Sequence, residues 1–118
     1  MKALISNKDK YVRNEVARQL NEHYPNCITE KYADSMLAAK SVYMEPADVI
    51  VMGLEGIKLI PMLRMRESGI IVIILADNDL HKEEATTGGA NAYISLPLQP
   101  DALFDAVEGR YSLDVNLV

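Results

Sequence analysis

The chain has 118 residues, 49% of them hydrophobic and 25% charged, with 17 acidic against 12 basic side chains and a net charge of −5. This size and mixture suit one globular domain with a buried core, and the acidic balance argues against direct nucleic-acid binding. The single cysteine, Cys27, excludes an internal disulfide, no apolar stretch approaches membrane-spanning length, and Met1–Asn7 turns polar too early for a secretory signal, so a cytoplasmic protein without membrane contact is expected.

Short apolar runs alternate with helical patterns along the chain. Ala3-Leu4-Ile5 reads as a first strand. Val12, Val16, Leu20 and Tyr24 recur every fourth residue, which predicts a helix with Asp9 as its N-cap. Pro25-Asn26 ends it, and Cys27 to Lys31 reads as a strand. A second helix starts at Asp34 or Ser35 and runs to about Met44, with Leu37, Ala38 and Val42 inward. Val49–Met52 is apolar without alternation, as in a strand covered on both faces. A helical segment follows from about Gly56 to Ser68, and Pro61 either kinks it or sits in its first turn. Ile70 to Leu75 is the most apolar strand and the expected centre of the sheet. Asp77-Asn78-Asp79 is expected to cap a fourth helix ending at Gly88-Gly89. Ala92-Tyr93-Ile94 is the fifth strand, and Pro100 opens a fifth helix with Leu103, Val107 and Phe104 candidates for inward packing.

Strict alternation predicts an α/β fold with a parallel sheet and helices on both faces. The expected form is a flavodoxin-like (βα)5 three-layer sandwich with strand order 2-1-3-4-5, a domain over 1–108 and a tail or linker over 109–118. Little in the sequence points to catalysis. His23 and His81 have no partners at metal-ligand spacing, and no Ser-His-Asp or Cys-His set can be placed. Cys27 reads as buried rather than reactive, and the six methionines mostly as core filling. Asp9 has only Glu55 as a candidate metal partner and is better explained as an N-cap. Gly53-Leu54-Glu55-Gly56 reads as a tight turn and lacks the longer glycine pattern of nucleotide sites.

The segment Gly89-Ala90-Asn91-Ala92-Tyr93-Ile94-Ser95-Leu96-Pro97-Leu98, together with Ala47-Asp48-Val49-Ile50-Val51-Met52, Ile70 to Ala76 and Arg13, resembles the receiver domain of two-component response regulators over about residues 2 to 108. The resemblance implies a site of known logic. Two acids after the first strand hold a divalent metal, an aspartate ending the third strand accepts a phosphoryl group, a hydroxyl ends the fourth, and a lysine precedes the proline after the fifth. The metal and lysine neutralise the charge of the transferred group.

On this chain those five positions fall on Asn7 and Lys8, Gly53, Ala76 and Leu96. Each has lost the required chemistry, and the loop after the third strand is about five residues short. The resemblance therefore implies a degenerate receiver, non-enzymatic and without metal or other cofactor, acting through a protein partner or an output domain. It also implies a cis bond between Leu96 and Pro97, a switch aromatic at Tyr93, and a homodimer through the face from Asp79 to Glu108, with Leu98 and Phe104 as interface candidates. Two alternatives stand beside it: a receiver-like domain that senses a small molecule or anion at the emptied pocket, and a flavodoxin-like enzyme of another family.

Overall fold

The structure, a computed structural model, describes residues 1–110. Five strands and five α-helices alternate: β1 (Lys2–Ser6), α1 (Lys10–His23), β2 (Ile28–Tyr32), α2 (Ser35–Met44), β3 (Val49–Met52), α3 (Ile60–Arg66), β4 (Ile71–Ala76), α4 (Lys82–Thr87), β5 (Ala92–Ser95) and α5 (Ala102–Val107). A 3-10 helix, Leu54–Leu59, fills the connection from β3 to α3. All strand pairs are parallel, in the order β2-β1-β3-β4-β5, so the expected flavodoxin-like sandwich is the fold observed.

The period of two along each strand sorts the core into two layers. Leu4, Ile50, Met52, Val72, Ile74 and Tyr93 pack under α2, α3 and α4. Ala3, Ile5, Val49, Val51, Ile73 and Leu75 pack under α1 and α5. Strands covered on both faces have no use for polar alternation, which is why β3 and β4 read as unbroken apolar runs. β3, rather than the more apolar β4, is central, because β4 and β5 complete the sheet on its far side.

Most helix signals hold in place. Asp9 accepts from the Tyr11 amide and caps α1, and Asp34 accepts from the Met36 amide and caps α2. Pro61 lies in the first turn of α3, where its missing N–H costs nothing.

Two further expectations are corrected. Leu37 points outward, 56% exposed, because α2 buries Ser35, Ala38, Ala39 and Val42, the i, i+3, i+4, i+7 set one position away. Asp77-Asn78-Asp79 does not cap α4. Asn78 Oδ1 accepts from the Leu80 amide and the Asp79 carboxylate pairs with the Ser95 hydroxyl, forming a turn that delays the helix to Lys82. Leu103 packs inward from α5 as expected, with Val107 partly buried against the same layer and Ala106 buried beside them. Gly89 ends α4 with φ +99, a left-handed backbone that favours glycine. Gly109 and Arg110 follow α5, and the rest of the expected tail lies outside the described residues.

Candidate functional site

The C-terminal ends of the strands carry a cleft of about 610 Å³ lined by Asn7, Lys8, Asp9, Val12, Gly53, Leu54, Glu55, Leu75, Ala76, Asp77 and Leu96. Parallel α/β sheets place their ligand sites at this end. All five positions singled out from the sequence, Asn7, Lys8, Gly53, Ala76 and Leu96, meet in this one cleft. The Leu96–Pro97 bond at its rim is cis.

Each wall follows from local structure. β1 ends at Ser6, and Asn7 then accepts the Asp9 amide at 2.9 Å, a short turn that hands the chain to the α1 cap. Arg13 fastens this turn from α1 by donating to the Asn7 carbonyl at 2.6 Å. β3 ends at Met52, and the chain enters the 3-10 helix directly, so Leu54 and Glu55 form the second wall. Ala76 ends β4, and Asp77 follows on the third side.

Behind Glu55 lies a buried feature that sequence reading missed. Ser6 and Ser35 are fully buried, and their hydroxyls lie 2.7 Å apart. Ser35 Oγ donates to Glu55 Oε1 at 2.7 Å, and Ser6 Oγ reaches the Val51 carbonyl at 3.4 Å. A polar thread thus runs from the sheet through the first turn of α2 to a carboxylate. That carboxylate lies on Gly53: a Cβ added there would sit 2.6 Å from Glu55 Oε2. Glu55 therefore occupies the space into which any side chain at position 53 would project. The only sequence signals were a serine closing an apolar strand and an acid two residues past a glycine, neither of which names its partner.

The donor set does not suit a divalent metal. Lys8 brings an ammonium to the position of a ligand acid, and Asp9 already accepts from the Tyr11 amide. Glu55 is bonded to Ser35, and no group of three potential metal ligands exists among the described residues. No step is therefore routed through a metal here.

The other candidates are placed as follows. Tyr93 is buried, 1% exposed, with its hydroxyl donating to the Asn78 carbonyl at 2.5 Å, and burial pushes its phenol above the ordinary range. Leu98 is half-buried against the α1/α5 layer of the core. Phe104 stacks on His23 with ring centroids 4.6 Å apart and has Arg110 on it at 5.2 Å, so this ring is held between α1 and the chain after α5. His23 also lies 3.5 Å from Asp101, and His81 3.1 Å from Glu84. Cys27 is partly buried, and burial pushes its thiol up, away from nucleophilic character.

No family model matches the sequence, and no curated protein resembles it closely enough to match. Solved structures do match. The chemotaxis protein CheY4 of Vibrio cholerae superposes with a TM-score of 0.76 at 19% identity, covering 91% of this chain and 95% of that one. A two-component response regulator from Clostridium difficile gives 0.76 at 18% identity, covering 93% and 97%. The receiver domain of a sensor histidine kinase from Pseudomonas aeruginosa, solved with magnesium coordinated in its active-site cleft, gives 0.75 at 20% identity, covering 91% and 93%. The chain has the fold of response-regulator receiver domains, and its cleft occupies the end of the sheet where α/β folds of this kind place their sites.

Proposed function

We propose that this chain is a degenerate receiver: a non-enzymatic module that serves signal transduction by binding other proteins, independently of phosphorylation. The observation that carries the reading is Gly53. It follows the last residue of the central strand and has no side chain, and the Glu55 carboxylate, held by Ser35, fills the space above it. A phosphoryl group has no acceptor there. Lys8, Ala76 and Leu96 support the same reading at the metal, hydroxyl and lysine positions. In this reading the partner is another protein or an output domain, and self-association through α4, β5 and α5, from Asp79 to Glu108, belongs to it as well. Leu80, 80% exposed at the start of that face, supports a contact there.

The test is intact mass after incubation with acetyl phosphate and magnesium. An unchanged mass is expected. A stoichiometric gain of one phosphoryl group overturns the reading. Sedimentation equilibrium tests the dimer, which a clean monomer at high micromolar concentration contradicts.

A second reading has one observation in its favour. A cleft of about 610 Å³ lies within the range of small-molecule sites, about 300–1,000 Å³, so the domain would sense a ligand there. Asp9, Glu55 and Asp77 against Lys8 alone favour a neutral or cationic molecule over an anion.

A further inference from the structure

The protein is acidic, yet two of its neighbouring helices carry only cations within their spans, with Glu45 and Glu67 standing just past their ends. Within their spans α2 (SMLAAKSVYM) and α3 (IPMLRMR) carry Lys40, Arg64 and Arg66 and no carboxylate. α2 is also apolar on both sides. Its inner side packs on the sheet, while Met36, Leu37, Tyr43 and Met44, spaced i, i+1, i+7 and i+8, stand exposed on the outer one. A helix that is apolar all round is normally covered.

The two helices are joined on this face by a rigid pair. The Tyr43 hydroxyl donates to the Met62 carbonyl of α3 at 3.0 Å. In return, Arg66 of α3 donates to the Tyr43 carbonyl at 3.2 Å and holds its guanidinium 5.8 Å from the Tyr43 ring centre. Met44 and Met65, the sequence neighbours of this pair, are 87% and 88% exposed. A pinned tyrosine and arginine flanked by adaptable methionines combine the rigid anchors of binding hot spots with a surface that can reshape.

We propose that the α2/α3 face docks an acidic amphipathic helix of a protein partner. Its apolar side rests on Tyr43, Met44 and Met65, and its carboxylates meet Lys40 and Arg66. Charge selects this occupant. Among the described residues a second copy offers no long acidic helix, since the acidic α4 spans only Lys82–Thr87. An anionic membrane needs more cations than Lys40 and Arg66, because Arg64 is committed to the Ile70 and Gly89 carbonyls. This face is separate from the cleft and from the face of α4, β5 and α5, so the docking site stands or falls independently of both.

The test is an NMR titration of the labelled protein with three probes. The first is a synthetic peptide of about 14 residues with leucine at helical spacing and glutamate between. The second is the same peptide with lysine for glutamate, and the third is a vesicle containing phosphatidylglycerol. The expected result is saturable, salt-sensitive shifts at Leu37, Tyr43, Met44, Met65 and Arg66 with the acidic peptide alone. Arg66→Glu and Met44→Ser should each weaken it by about tenfold or more, with circular dichroism unchanged. Should Arg66→Glu unfold, Lys40→Glu serves in its place. Absent shifts, shifts confined to other faces, equal binding of the lysine peptide, or preference for the vesicle each overturn the proposal.

Discussion

The two ends of the sheet differ in what their polar side chains leave open. At the N-terminal end, side chains sew the backbone together. Arg64 donates to the carbonyls of Ile70 and Gly89 and, at 2.6 Å, to Asn91 Oδ1, which also accepts the Val72 amide at 2.8 Å. Asp48 accepts the Lys2 amide at 2.8 Å. At the C-terminal end, Lys8 and Asp77 line an open cleft, and Glu55 in its wall is tied to another side chain, Ser35, rather than to backbone. The first end ties the starts of neighbouring strands to one another and to α3. The second holds groups whose arrangement the fold does not require, which is where a binding or signalling role has room to act.

The largest effect should come from breaking the structural end. Arg64→Ala removes several charge-assisted hydrogen bonds to loop carbonyls and should cost about 3 kcal/mol in denaturant unfolding, without altering the shifts of residues around the cleft. Arg64→Lys should recover only part of it, because an ammonium cannot reproduce the planar fork. A loss below about 0.5 kcal/mol would place Arg64 among ordinary surface residues.

At the cleft end, Ser35→Ala should cost about 1–2 kcal/mol, since it leaves the buried Ser6 hydroxyl and Glu55 each short of a partner. Gly53→Ala should cost about 1 kcal/mol, because its Cβ displaces the Glu55 carboxylate from Ser35. In a Glu55→Ala background most of that cost should vanish, a coupling readable in a double-mutant cycle. Equal costs in both backgrounds would separate Gly53 from Glu55.

The smallest effect lies on the exposed outer side of α1. The hydrogen bond from Arg18, then that from Gln19, lowers the Glu15 carboxyl to about 2. A lowered folded-state value contributes stability that is present above the ordinary carboxylate range and lost as pH falls through about 2. NMR titration should show Glu15 titrating below the other carboxylates at low salt, with the difference shrinking as salt is added.

The fold was legible because burial writes itself into the sequence. Apolar runs in β3 and β4, every-fourth-residue spacing in α1, and caps at Asp9 and Asp34 each follow from one local cause. Leu37 was misread because α2 is apolar on both sides, so periodicity alone could not say which side faces the sheet. The capping role assigned to Asp77-Asn78-Asp79 failed because Asp79 answers to Ser95, a partner 16 residues away. The positions of the cleft could be located through the resemblance, but the Ser6–Ser35–Glu55 thread could not. It joins three elements through side-chain geometry, and no spacing along the chain encodes that.

The degenerate-receiver proposal rests on Gly53, which offers no acceptor for a phosphoryl group and has the Glu55 carboxylate lying over it. NMR titration with magnesium and beryllium fluoride, a phosphoryl mimic, tests it most directly. No saturable shift is expected at Asn7, Gly53, Ala76 or Leu96, and the melting temperature should stay unchanged. Saturable shifts centred on Gly53 and Ala76, accompanied by a rise in melting temperature, would contradict it.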